Sequence, residues 1–100
     1  MKIAFVGHVC VDKNVVRGKT EILYGGGVMH GGITAQRLGM ESIVVTKCAD
    51  ADRAGFGGLA EAGVQVNWLP SPTSTSIQNV YPTENPDDRE SRLISRASPF

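Results

Sequence analysis

Between residues 2 and 69, apolar runs of strand length alternate with glycine-punctuated segments at helical spacing, and this alternation restricts the fold more than any other feature of the sequence. Lys2 to Gly7 (KIAFVG) is continuous and apolar, which predicts a strand covered on both faces. In Val28 to Leu38, Val28, Gly31 or Gly32, Ala35 and Leu38 recur at three- and four-residue steps, and Gly39 stands where such a helix ends. Ile43 to Val45 predicts the next strand, Asp50 to Ala62 a second glycine-weakened helix stopped by Gly63, and Val64 to Leu69 a third strand. Strand, helix, strand, helix, strand joins most naturally through right-handed crossovers, so the expected fold class is α/β with a three-layer sheet.

Two stretches lie outside that alternation. His8 to Val16 leaves the first strand and starts another; Arg17-Gly18-Lys19 is a polar turn, and Thr20 to Tyr24 is strand-like by its branched and aromatic content. After Pro70 the composition turns to Ser, Thr, Pro and Asn. Thr75 to Tyr81 and Arg92 to Ser95 then predict two strands joined by an acidic loop around Asp87-Asp88. The organisation expected is an α/β core over residues 1–13 and 25–70, with a β-rich flap formed by strands at about 14–24 and 75–95.

One hundred residues suffice for one small domain or part of a larger one, since domains usually hold about 100 to 150 residues. The close at Ser98-Pro99-Phe100, without a terminal helix, predicts a piece of something longer. Ten basic and ten acidic residues cancel, so no overall field favours nucleic acid or an anionic membrane. No apolar run approaches the roughly 20 residues of a membrane span, and the short run after Met1-Lys2 is not a signal peptide. A cytoplasmic protein is expected. Cys10 and Cys48 lie in apolar strand-like stretches without paired spacing, which predicts buried, reduced thiols.

Several familiar sites are absent. The first strand ends in Gly7 without G-x-G-x-x-G, and the Gly25-Gly26-Gly27 run is not followed by Gly-Lys-Ser/Thr at P-loop spacing. His8, Cys10, His30 and Cys48 lack the paired short spacings of zinc ligands, so no metal site is expected. What remains is Asp12 after the first strand, the glycine run, and His30 in the first turn of the following helix. A carboxylate offers two acceptor oxygens to paired hydroxyls, and the Gly26 and Gly27 amides can donate to the same ligand. Polyols match that inventory. The plainer readings are that Asp12 caps a turn, that His30 is an ordinary helix residue and that the glycines are a hinge.

The opening KIAFVGHVCVD followed by GGGVMHGGITAQRLG resembles the start of the PfkB (ribokinase-like) family of carbohydrate and nucleoside kinases. The strand at Ile43, the helix before Ala62-Gly63-Val64, and the strands at Thr75-Ser76 and Arg92-Leu93-Ile94 follow the order of that family's N-terminal third. The resemblance implies a ribokinase-like sheet with a β-rich lid. It places Asp12 at the aspartate that binds sugar hydroxyls, Cys10 at the polar position two residues earlier, and Gly26 and Gly27 at the backbone that closes over the sugar. His30 falls where asparagine is usual, and Gly27 where lysine is frequent. The family's second signature, a Gly-Ala-Gly-Asp-like segment carrying the catalytic base, does not occur in the chain.

The function implied is the substrate-binding N-terminal part of an ATP-dependent sugar or nucleoside kinase. It carries no catalytic residue of its own and is inactive alone. ATP and magnesium would be held mainly by the remainder of the kinase chain, and the lid would pair with a second subunit. The alternative is a non-catalytic polyol-binding or lid-dimerisation module.

Overall fold

The computed structural model describes residues 1–85 and 87–100. Three parallel strands form the core sheet in the order β1 (Lys2–Val6), β4 (Glu41–Cys48), β5 (Gln65–Pro70). The lid is a separate four-stranded sheet in the order β3 (Lys19–Gly25), β2 (Cys10–Val16), β6 (Thr75–Tyr81), β7 (Glu90–Ser95). Its central pair, β2 and β6, is parallel, whereas β3 and β7 pair antiparallel at the two edges. The molecule is mixed α/β, as expected.

The core is assembled on one face of its sheet. Helix α1 (Gly27–Arg37) and the short α2 (Gly58–Glu61) pack with the alternate β4 residues Val44 and Cys48 around Phe56, Leu59 and Val64. Val9 and Val11 join the same cluster, which is how the start of β2 is tied to the core. The close helix approach explains the glycine pair in α1. A Cβ on Gly32 would lie 2.6 Å from Val44 Cγ2, and one on Gly31 2.8 Å from the Phe5 ring.

The expectation that β1 is covered on both faces is not met. Ile3 and Phe5 are half-buried, but Ala4 and Val6 are exposed, Val6 by 63%. The continuous apolar run KIAFV is therefore only half used within these residues, with helices on one side of the sheet. A second correction concerns residues 50–62. They form a 3-10 helix over Asp50–Phe56 and only one turn of α-helix in α2. Glycines 55, 57 and 58 weaken a continuous helix, and Tyr24 occupies the space a side chain on Gly55 would need.

The boundary between core and lid also lies earlier in the chain than the composition suggests. Residues 10–13 already pair along their length with β3 and β6, so Cys10 and Asp12 are lid residues. The hairpin turns at Arg17 (φ 51°) and Gly18 (φ 77°), the two left-handed positions a two-residue connection requires. Serine and threonine hydroxyls tie the lid to the core: Ser74 Oγ donates to Asp52 Oδ2 (2.6 Å) and accepts from the Ala49 amide (2.8 Å), and Thr46 Oγ1 accepts from the Val9 amide (2.9 Å). Within the lid, Ser76 Oγ donates to the Val11 carbonyl (2.9 Å) and links β6 to β2. Among the described residues no helix is long and apolar enough to cross a membrane.

Candidate functional site

The period of two along β2 puts Cys10, Asp12 and Asn14 on one face of the lid, while Val11 on the other face is buried against the core. Cross-strand register extends that face into two rows. Leu23, Asp12, Ile77 and Leu93 form the first; Glu21, Asn14, Asn79 and Ser91 form the second. The first row is apolar except for the carboxylate. The second is entirely polar.

Asp12 is half-buried and held from one side. The Cys10 thiol donates to its Oδ1 at 3.1 Å. Burial, the hydrogen bond to Asp12 and the Asp12 charge push the Cys10 thiol up from 9.0 to about 12, so at neutral pH it remains the protonated donor. This leaves Oδ2 for other partners. A Cβ placed on Gly25 would lie 3.9 Å from Asp12 Oδ2 and 3.1 Å from His30 Nε2. The carboxylate and the imidazole therefore converge over the one residue whose lack of a side chain leaves room between them. His30 is exposed, and its backbone amide donates to the Gly26 carbonyl (3.2 Å) in the first turn of α1.

The three glycines have different roles. Gly25, the register partner of Cys10, makes the floor between Asp12 and His30. Gly26, at φ 103°, adopts a conformation that favours glycine, and its α-carbon lies against the backbone of His8, Val9 and Cys10, where a Cβ would come within 3.1 Å. It allows the chain to cross from lid to helix. Gly27 opens α1, and a Cβ there would meet nothing within 4 Å.

The expected site residues Asp12, Gly26, Gly27, His30 and Cys10 therefore lie at one junction. Cys10 is buried, as its apolar setting predicts, and directs its thiol at Asp12. Gly25 was not singled out in the sequence, because the glycine run does not reveal which member faces Asp12; the register partnership with Cys10 does. Asn14, Asn79 and Ser91 were also not identified. Their signal is parity: Asn14 shares a strand face with Asp12, and Asn79 with Ile77. Asn79 Nδ2 donates to Asn14 Oδ1 (2.9 Å), and Ser91 Oγ donates to Asn79 Oδ1 (2.7 Å).

Among the described residues no group of three or more His, Cys, Asp or Glu is placed to hold a metal ion. The lid junction instead offers a carboxylate acceptor, amide groups and an imidazole beside bare backbone. Each of these groups can exchange hydrogen bonds with a hydroxyl.

No protein-family model matches the chain, and neither does any curated protein. Solved structures do. The chain is 52% identical to a pyrophosphate-dependent kinase in the ribokinase family determined as a sulfate complex, with a TM-score of 0.85 over 97% of this chain and 34% of that one. It is 49% identical to a structure of a pyrophosphate-dependent kinase in the ribokinase family complexed with a pyrophosphate analog and myo-inositol, with a TM-score of 0.83 over 97% of this chain and 33% of that one. It is 46% identical, with a TM-score of 0.80 over 97% of this chain and 31% of that one, to a pyrophosphate-dependent myo-inositol-1 kinase converted into a myo-inositol-3 kinase by replacing an asparagine and a serine with leucines. The chain spans about a third of the length of these structures.

Proposed function

With the chain a PfkB-like, ribokinase-family N-terminal segment, we infer that it is the acceptor-binding part of a kinase that phosphorylates a hydroxyl of a cyclic polyol of the inositol class. The observation that carries this reading is the convergence of Asp12 Oδ2 and His30 Nε2 over Gly25, with Asp12 Oδ1 held by the Cys10 thiol. One acceptor hydroxyl donates to Asp12, and His30 contacts a neighbouring one. Gly25 leaves space for the ring, and Gly27 leaves the helix start open to it. The proposed donor is inorganic pyrophosphate rather than the ATP expected from the sequence, supported by the pyrophosphate dependence named for the three similar kinases.

In the transfer, the acceptor oxygen forms a bond to the phosphoryl phosphorus, the bridging P–O bond of the donor breaks, and orthophosphate leaves. The acceptor proton would go to a base outside this segment, and the donor phosphates and the magnesium that would neutralise their charge would be held there too. Phosphoryl transfer depends mainly on positioning and charge stabilisation, so the contribution of these residues is to present the correct hydroxyl in a fixed orientation. The Asn79–Ser91 pair on the Asp12 face supports regiochemical control by the lid. An asparagine and a serine are the residues whose replacement changes the phosphorylated position in the 46% identical kinase.

The deciding experiment assays the full-length gene product with pyrophosphate and with ATP against myo-inositol, ribose, fructose 6-phosphate and nucleosides. Pyrophosphate-dependent phosphorylation of myo-inositol is expected, reduced at least about 100-fold in kcat/KM by Asp12→Asn. Activity confined to ATP and a nucleoside overturns the reading, as does an Asp12→Asn protein with undiminished activity. A second reading, pairing of two lids, is supported by exposed Leu23 and Leu93 flanking Asp12 on the open face.

A further inference from the structure

Asn14 stands two residues beyond Asp12 on the same face of β2, about 6.6 Å along the strand at about 3.3 Å per residue. Its amide oxygen accepts from Asn79, whose own oxygen accepts from Ser91. These hydrogen bonds follow the register Asn14, Asn79, Ser91 across three adjacent strands, so the Asn14 amide plane is set by partners remote in sequence. The Asn14 nitrogen has no hydrogen-bond partner among the described residues, although the residue is half-buried. It thus presents two N–H donors on the open lid face, one strand repeat from a carboxylate that only accepts.

An acceptor and a donor carried by backbone positions about 6.6 Å apart on one strand face match a ligand that presents hydroxyls on opposite sides of a ring. A hydroxyl both donates and accepts, so one ring hydroxyl can donate to Asp12 while another, across the ring, accepts from Asn14. A six-membered ring bearing hydroxyls all round spans the two. A furanose carries its ring hydroxyls on adjacent carbons along one edge of the ring, and its remote hydroxyl sits on a freely rotating hydroxymethyl group, so it does not present two ring hydroxyls held across from each other.

Building on the polyol-kinase reading above, we propose that Asn14, oriented by the Ser91 to Asn79 hydrogen-bond chain, contacts a ring hydroxyl remote from the one bound by Asp12. It thereby selects a six-membered polyhydroxy ring over a furanose. Asn79 and Ser91 act here as positioning residues, because they work through Asn14.

The test uses the full-length gene product with myo-inositol, its single-deoxy analogues and ribose. Asn14→Ala is expected to raise KM for myo-inositol about tenfold, the loss of one neutral hydrogen bond, with kcat changed less. Wild type should lose a similar factor against one deoxy isomer, and Asn14→Ala should lose nothing further against that isomer, because hydroxyl and amide report the same contact. Ser91→Ala, at an exposed position, should move KM in the same direction by about threefold and should discriminate the same isomer less. Circular dichroism melts identify a variant that fails to fold, in which case the Ser91→Ala isomer profile decides.

An Asn14→Ala protein that weakens all analogues equally, or a Ser91→Ala protein with the wild-type isomer profile, overturns the proposal. If Asp12→Asn abolishes phosphorylation while those patterns fail, the polyol-kinase reading stands without this inference. A wild-type protein that phosphorylates no polyol overturns both.

Discussion

Asp12 and Cys10 show how one side chain prepares another. Ionised, Asp12 needs donors in a half-buried setting, and the thiol two residues earlier supplies one at 3.1 Å. The same arrangement makes Cys10 a poor thiolate, since burial and the adjacent carboxylate raise it from 9.0 to about 12. The sign of the resulting pH effect follows from linkage. In the unfolded chain the thiol loses its proton near 9, while the folded protein keeps it until about 12, so stability is intact below pH 9 and declines as pH rises through that window. Urea midpoints measured at pH 8 and pH 10.5 should therefore differ less in Cys10→Ser than in wild type. Equal differences in the two proteins would remove the Cys10–Asp12 bond from this account. Iodoacetamide at pH 8 should modify Cys10 slowly in the native state and rapidly in urea. The nearness of Asp12 to the glycine run and the helix start was legible in the sequence, because a carboxylate after a strand, followed by glycines and a helical pattern, is a local arrangement. Gly25 was not, since its closeness to Asp12 exists only once β3 is paired with β2.

At the scale of elements, the glycines of α1 separate packing from binding. Gly32→Ala would drive a methyl to 2.6 Å from Val44 Cγ2 in the buried core, so chemical denaturation should show a loss of about 1–3 kcal/mol. Gly27→Ala is the matched comparison. With open space around it and a better helix former at the first helical position, its stability should be unchanged or raised by up to about 1 kcal/mol. A Gly32→Ala protein as stable as Gly27→Ala would mean that α1 does not sit this closely on β4. Periodicity made α1 and the core strands readable within a few residues. It did not reveal the 3-10 helix over Asp50–Phe56, whose DADRAGF sequence has no apolar stripe and is held by tertiary bonds such as Ser74 Oγ to Asp52. Nor did it reveal how early β2 enters the lid, because Cys10-Val11-Asp12 reads equally as the tail of one strand or the head of another.

For the whole molecule, the two sheets have different unfinished surfaces. The core sheet leaves Val6 bare on the face opposite its helices, and the lid leaves Leu23 and Leu93 about half exposed around Asp12. Apolar residues beside a charged one suit coverage by a second lid, since a neighbouring copy would hide the leucines and close over a small ligand held at Asp12. Sedimentation velocity of the full-length protein should give a dimer that Leu23→Asp with Leu93→Asp converts to a monomer; a wild-type monomer at micromolar concentration would refute lid pairing. The lid's existence was legible from the change in composition after Pro70. Its order was not, because β2 and β6 are joined in parallel by residues 65 positions apart, as in the hydrogen bond from Ser76 to Val11. That pairing also limits how such a protein can be remodelled. The lid is woven from two separate excursions of the chain, so no single contiguous cassette contains it. An engineer transplanting it into another protein would have to exchange both excursions together, and a recombination breakpoint between them would leave β2 and β6 with mismatched mates.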